Sequence, residues 1–230
     1  MHNPPIIDVI IPVHNEEQSI PKVIAEIPKI VRHVVVANNN STDRTGQVAE
    51  SAGAEVVFEP QKGYGKACLA AMDWIKSRAV QPDIVVFLDG DYSDYPEEMN
   101  ELIRPILNGK ADMVIGSRAL GQRESGSMTL PQVFGNWLAT NMMRFMHGAK
   151  FSDLGPFRAI VWRKLVNLNM IDQNFGWTIE MQIKAHKAGL RYAEIPVNYR
   201  RRIGVSKVSG TVKGVFGAGY KIILTIFRYW

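Results

Sequence analysis

Apolar and polar positions alternate along the first half of the chain in blocks of two kinds. Ile6 to Val13 is an almost unbroken apolar run with β-branched residues, the pattern of a strand buried on both faces. After the polar cluster Asn15-Glu16-Glu17, apolar residues recur at helical spacing (Ile20, Val23, Ile24, Ile27), with Pro21 in an early turn where its missing N–H costs little. The same alternation continues. Strands are expected at His33–Ala37, Val56–Phe58, Ile84–Leu88 and Met113–Ile115. Helices are expected after Ser41 or Thr42 as N-cap, over Lys66–Arg78 and over Pro96–Leu107. Strand alternating with helix predicts an open, mostly parallel sheet with helices on both faces. Ligands bind such sheets at the carboxyl ends of the strands, so the polar clusters after the first, second and fourth strands should converge on one cleft.

Beyond residue 117 the pattern changes. Residues 118–131 are rich in Gly, Ser and Arg. Residues 132–147 and 177–189 read as helices and Tyr192–Val197 as a strand. Residues 200–212 are basic and Gly/Ser-rich, a composition expected of a mobile loop. From Val215 to Trp230 the chain is apolar and aromatic, broken by Lys221 and Arg228. No repeat or linker divides the 230 residues, so one domain is expected. It comprises a strand-helix alternating half (1–117), a second half (118–213) and a C-terminal amphipathic helix (214–230).

Charge adds little globally and more locally. The 27 Lys and Arg exceed the 22 Asp and Glu by five. The basic excess sits around Arg200–Lys207 and the acids gather between Asp89 and Glu98. With acids in the cleft and no aromatics interleaved with the basic run, a nucleic-acid partner is not expected. The lone cysteine, Cys68, excludes an intrachain disulfide and a cysteine-based zinc site. With no basic-then-apolar leader and no apolar run of roughly 18 residues, neither a secretory signal nor a spanning helix is expected. A cytoplasmic location, peripheral to the membrane at most, follows as the expectation.

The sharpest chemical feature is Asp89-Gly90-Asp91, two carboxylates around a small residue at the end of a buried strand. Hard oxygen donors so placed suit Mg²⁺ or Mn²⁺ on a diphosphate, with Ser93 or Asp94 completing the shell, although Asp and Gly also make ordinary surface turns. Gly90 would let a ligand approach the backbone. After the first strand, Glu16 can accept from a ribose and His14 can stack on a base, or Asn15 and Glu16 simply cap a helix. Asn38–Asp43 can meet a base edge or form a turn. Lys62-Gly63-Tyr64-Gly65-Lys66 has the glycines and lysines of an anion loop without Walker spacing. Arg118 can neutralise a leaving diphosphate. Glu180 is either a base or a surface glutamate on a helix.

Taken in order, Ile11-Pro12-Val13-His14-Asn15-Glu16, Asn38–Thr45, Lys62–Lys66, Asp89-Gly90-Asp91 and Gly116-Ser117-Arg118 resemble a family 2 glycosyltransferase of the GT-A fold. Asp153–Ala159 and Arg201-Ile203-Gly204-Ser206-Lys207 narrow the resemblance to the dolichol-phosphate mannose synthase and polyprenyl-phosphate glycosyltransferase branch. The resemblance implies inverting, metal-dependent transfer of a hexose from a GDP- or UDP-sugar to a polyprenyl phosphate. It implies Pro12, His14, Glu16 and Asn39 around the nucleoside, and Lys66 near the donor. Asp89, Asp91 and Ser93 would lie at the metal, with Arg118, Arg201 and Lys207 on the phosphates. His14 replaces a frequent tyrosine and Asn38-Asn39 replaces the usual pair of aspartates, which leaves guanine and uracil both open. A saccharide or small-molecule hydroxyl acceptor would instead call on Glu180. A nucleotidyltransferase is a more remote alternative. The C-terminal segment reads as an interfacial helix at a membrane, or as a helix packed on the protein's own core.

Overall fold

The computed structural model describes residues 4–204 and 212–230. Seven strands form one sheet: β1 (Ile7–Val13), β2 (Val31–Asn38), β3 (Glu55–Phe58), β4 (Ile84–Phe87), β5 (Met113–Ser117), β6 (Arg158–Val161) and β7 (Tyr192–Pro196), in the spatial order β3-β2-β1-β4-β6-β5-β7. Every pairing is parallel except those of β6, which runs antiparallel to both β4 and β5. The apolar runs of β1, β4 and β5 are buried along their whole length, as strands covered on both faces require.

Successive residues of β1 serve opposite layers. Val9, Ile11 and Val13 pack with Ile20 and Val23 of helix α1 (Ile20–Glu26) and with Met99, Leu102 and Ile103 of α4 (Met99–Leu107). Ile10 packs on the other side with Ala67, Ala71 and Ile75 of α3 (Tyr64–Lys76). That second layer also takes Met143 of α5 (Leu130–His147), Leu165 of α6 (Trp162–Asn167), Ile179 of α7 (Trp177–Lys187) and Ile226 of α8 (Val212–Arg228). The remaining helix, α2 (Thr45–Ser51), lies beside α1 and buries Ala49 in the first layer.

The expected elements appear close to their predicted places, with two additions and two changes. The antiparallel β6 and the short α6 were not foreseen. A single turn at Pro96–Glu98 is 3-10 rather than α-helical. Helix α2 begins without a side-chain cap, because Ser41 and Thr42 are used elsewhere. Ser41 Oγ accepts the Asn15 N–H at 3.0 Å, and the Thr42 N–H donates to Asn15 Oδ1 at 2.8 Å. The loops after β1 and β2 are therefore laced together before any ligand arrives.

Helix α8 packs on the protein's own core along one side. Thr225 and Ile226 are buried, and His147 lies 3.0 Å from the Ile226 carbonyl. Tyr220, Leu224, Phe227 and Trp230 remain exposed on the outer side.

Candidate functional site

Strand order reverses beside β1, which pairs with β2 on one side and β4 on the other. The crevice at such a point lies outside the carboxyl ends of the strands. The loops after β1 and β4 meet there. Asp89 is half-buried; its Oδ1 accepts from the Tyr64 hydroxyl at 3.3 Å, and desolvation together with neighbouring Asp91 pushes its carboxyl up to about 7. The Asp91 Oδ1 accepts the Ser93 N–H at 2.9 Å and the Ser93 hydroxyl as well. Its Oδ2 lies 3.0 Å from Arg202 Nη1. Tyr92, between them, takes a left-handed backbone (φ 69°) that a bulky side chain rarely adopts. Its ring is clamped by Arg200, whose guanidinium sits 3.4 Å from the Tyr92 centroid and 4.3 Å from that of Tyr95, while Nη2 reaches Glu26 at 2.6 Å.

A third carboxylate completes the cluster. Asp94 is buried; its Oδ2 accepts the Asp89 N–H at 3.3 Å and its Oδ1 has no partner. Three acids thus crowd one strand end and repel one another, with Arg202 paired to Asp91, a setting that suits a divalent cation. Among the described residues no three His, Cys, Asp or Glu side chains form a ready cage. The protein therefore offers Asp89 and Asp91 as a partial donor set, and a diphosphate would supply further oxygens.

Several expected site residues have other tasks. The Asn39 amide is spent on the loop before α3: Nδ2 donates to the Gln61 carbonyl at 2.8 Å and Oδ1 accepts the Gly63 N–H at 2.8 Å. His14, half-buried at the rim, holds the Asn39 carbonyl at 2.9 Å through Nδ1. Pro12 is buried opposite Ala37 near the end of β1. The glycines of Lys62–Lys66 are required by packing. A Cβ on Gly65 would lie 2.0 Å from the Asp172 carbonyl oxygen, and one on Gly63 2.2 Å from that of Gln173. Lys66 donates to Gln61 in the same loop. Gly90 likewise leaves room for Val13, whose Cγ1 would lie 2.4 Å from an added Cβ. A close crossing of two backbones thus accounts for the glycines of this segment.

Glu180 is not brought to the crevice, nor is it a surface residue. It is wholly buried, where its oxygens accept the N–H groups of Ile171 (3.0 Å) and Asp172 (2.7 Å) and the Tyr229 hydroxyl (2.7 Å), with Lys184 at 2.7 Å. It ties α8 to the loop before α7.

Arg118 does stand at the crevice, clamped on buried Asp153 through Nε (2.8 Å) and Nη2 (2.7 Å). Burial opposes both charges, yet their contact holds the Asp153 carboxyl below its usual range and Arg118 above its own. In the basic run it is Arg202, not Arg201, that the structure brings to the crevice carboxylates. Arg201 points outward and donates to the Ser125 carbonyl at 2.6 Å. Arg202 points inward, bridging Asp91 and Glu16 (2.8 Å). In an extended segment alternate side chains face the same way, so Arg200 and Arg202 share a side that Arg201 does not. Lys207 lies outside the described residues, as does the greater part of the expected loop. Its described part, residues 200–204, is tied to the crevice by Arg200 and Arg202.

Beside the carboxylates opens a cavity of about 280 Å³. Asp89 and Arg118 line it with Tyr64 and Thr178; its other walls are largely apolar, from α5 (Pro131, Gly135), α8 (Ala218, Ile222), Leu154 and Phe175.

Comparison with known proteins accounts for this arrangement. A family model described as "Glycosyl transferase family 2" matches residues 8–168. The chain is 34% identical over 227 residues to an uncharacterized glycosyltransferase of Mycobacterium tuberculosis, covering 97% of this chain and 96% of that one. It is 31% identical over 205 residues to a dolichyl-phosphate hexose transferase of Haloferax volcanii, covering 87% and 85%. Among solved structures, glucosyl-3-phosphoglycerate synthase of Mycobacterium tuberculosis, in complex with Mn²⁺, UDP-glucose and phosphoglyceric acid, superposes with a TM-score of 0.75 at 22% identity, over 98% of this chain and 79% of that one. An α/β sheet of this order, acids at its switch point and this breadth of similarity lead to one conclusion: the chain is a glycosyltransferase that draws on a nucleotide-activated sugar, and it belongs to glycosyl transferase family 2.

Proposed function

We propose that this enzyme moves a hexose, with inversion, from a nucleoside diphosphate sugar to a polyprenyl phosphate. The observation that carries the reading is the cavity, whose largely apolar lining includes Asp89 and Arg118. Of the described residues that line it, Asp89 is the only acid. A hydroxyl acceptor would need a base there, and Glu180 is walled off. A phosphate acceptor is already an oxyanion and needs none. The names of two relatives agree: the dolichyl-phosphate hexose transferase above, and a polyprenol monophosphomannose synthase of Mycolicibacterium smegmatis, 28% identical over 220 residues and covering 88% of this chain and 81% of that one.

In this reading the acceptor phosphate oxygen bonds to the anomeric carbon as the bond from that carbon to the diphosphate breaks, and the electron pair departs with the nucleoside diphosphate. Asp91 and Asp89 would hold a Mg²⁺ or Mn²⁺, which supplies charge neutralisation for the departing diphosphate. Arg202, already at Asp91, adds a guanidinium on the same side. Arg118, held by Asp153, forms part of the cavity wall beside the carboxylates. Peripheral contact with a bilayer through α8 would bring the lipid tail to the apolar walls.

The test has two stages. Thermal shifts with GDP, UDP and their sugar derivatives, each with Mn²⁺ or EDTA, should show metal-dependent stabilisation by one nucleotide. The matching donor should then be consumed with polyprenyl phosphate and not with phosphoglycerate. Transfer to phosphoglycerate alone would replace the lipid reading with a soluble acceptor.

A further inference from the structure

Helix α5 is built the wrong way round for a helix facing water. Leu130, Phe134, Trp137, Asn141 and Phe145 recur at i, i+4, i+7, i+11 and i+15, and all five are exposed. Phe145 is 92% exposed and Leu130 86%. The inner side is buried through Ala139, Thr140 and Met143. On neighbouring α8 the exposed Tyr220, Leu224, Phe227 and Trp230 repeat the pattern. An apolar surface shared by two adjoining helices is not an ordinary scatter of exposed side chains.

Charge says what covers it. Neither α5 nor the segment from α8 to the C-terminus contains a single Asp or Glu. Arg144 stands beside Phe145 and makes no ion pair with any described residue. With Arg123 it lines a groove of about 370 Å³ that also touches Trp137 and Asn141. Arg228 is exposed on α8. A second copy docked through the same face would bring cations against cations, with no acid on either helix to meet them. An anionic bilayer meets both requirements, since aromatic rings settle at the headgroup level and arginines pair with lipid phosphates.

We propose that the outer face of α5, together with the exposed side of α8, docks on a membrane bearing anionic phospholipids, with Arg144 and Arg123 receiving headgroup phosphates. This moves the principal contact away from the C-terminal helix. It is independent of the acceptor's identity, although the cavity between the same two helices would then open toward the lipid.

The test is flotation of the full chain with vesicles of phosphatidylcholine, alone or mixed with phosphatidylglycerol. The wild type should partition strongly onto the mixed vesicles. Phe145→Ser and Trp137→Ser, both at exposed positions, should each weaken partitioning roughly tenfold, the loss expected when a large apolar side chain no longer leaves water. Arg144→Glu should abolish the preference for phosphatidylglycerol. Undiminished binding by these variants would overturn the proposal. So would a lipid-free change in sedimentation mass on Phe145→Ser, which would make the face an interface between copies. Transfer to a short prenyl phosphate in solution should be unchanged in all three variants. Absence of that transfer in the wild type would instead sink the acceptor reading, and leave the vesicle result standing.

Discussion

Two arginines reach the same crevice in different ways. Arg118 directly follows β5 and Arg202 lies on the extension of its parallel neighbour β7, so the sheet delivers both to one edge. Arg118 is sealed: its side chain is 11% exposed, that of Asp153 is 1% exposed, and the two make a forked contact. Arg202 is 25% exposed, spans Asp91 and Glu16, and keeps a buried Nε with no partner. The first pair is architecture. The second is more open, and in the proposed reading a diphosphate or a divalent cation would compete for the same charges. An arginine's neighbourhood, rather than its closeness to the ligand, decides which role it takes.

The comparison can be broken from either side. The largest effect should come from Asp91→Ala, which removes the carboxylate that Arg202 holds. Transfer should fall about a thousandfold, as for loss of a principal transition-state contact, with the circular dichroism spectrum preserved. Turnover near wild type, or turnover indifferent to chelator, would refute the role given to Asp91. Next, Arg118→Ala should cost about 3–5 kcal/mol of stability in a urea titration, because Asp153 is left buried and unpaired. Arg202→Gln should change stability by less than about 1 kcal/mol, yet lower kcat/KM for the donor by roughly tenfold. Equal stability losses for the two arginines would erase the distinction.

The last effect concerns protons. Folding raises the Asp89 carboxyl from the usual 3.8 to about 7, so between those values the folded protein holds a proton that the unfolded chain releases. The Asp89 contribution therefore favours folding at the acidic end of that window, declines as pH rises through it, and levels off above about 7. The difference in stability between wild type and Asp89→Asn, followed across that range, should show this slope. A difference independent of pH would contradict it. Metal-linked donor binding should also release protons near neutrality.

Much of the scaffold was legible because buried parallel strands advertise themselves as apolar runs, and β1, β4 and β5 are such runs. Strand β6 was not. It is four residues long and opens with Arg158, whose side chain is wholly buried on the carbonyls of Gly155 and Thr178. No periodicity announces a charged residue satisfied by backbone oxygens. At the site, Asp89 and Asp91 were legible from their place at a strand end. The glycines of Lys62–Lys66 were misread because their constraint comes from Asp172 and Gln173, far along the chain. Arg202 was missed in favour of Arg201, and alternation along an extended segment is the signal that would have separated them. Glu180 was misjudged because a helical wheel cannot show that α8 and a loop close over it.

The reversed strand also has a mechanical consequence. Because β6 runs against its neighbours, its entrance lies at the ligand edge, and the peptide leading into it comes straight from the end of α5. Asn136 of α5 grips that peptide twice, donating to the Ser152 carbonyl at 3.0 Å and accepting the Leu154 N–H at 2.9 Å, on either side of Asp153. Helix α5 thus turns one side away from the protein while its Asn136 holds the peptide that carries the anchor of Arg118. Any displacement of α5 would reach that anchor through Asn136.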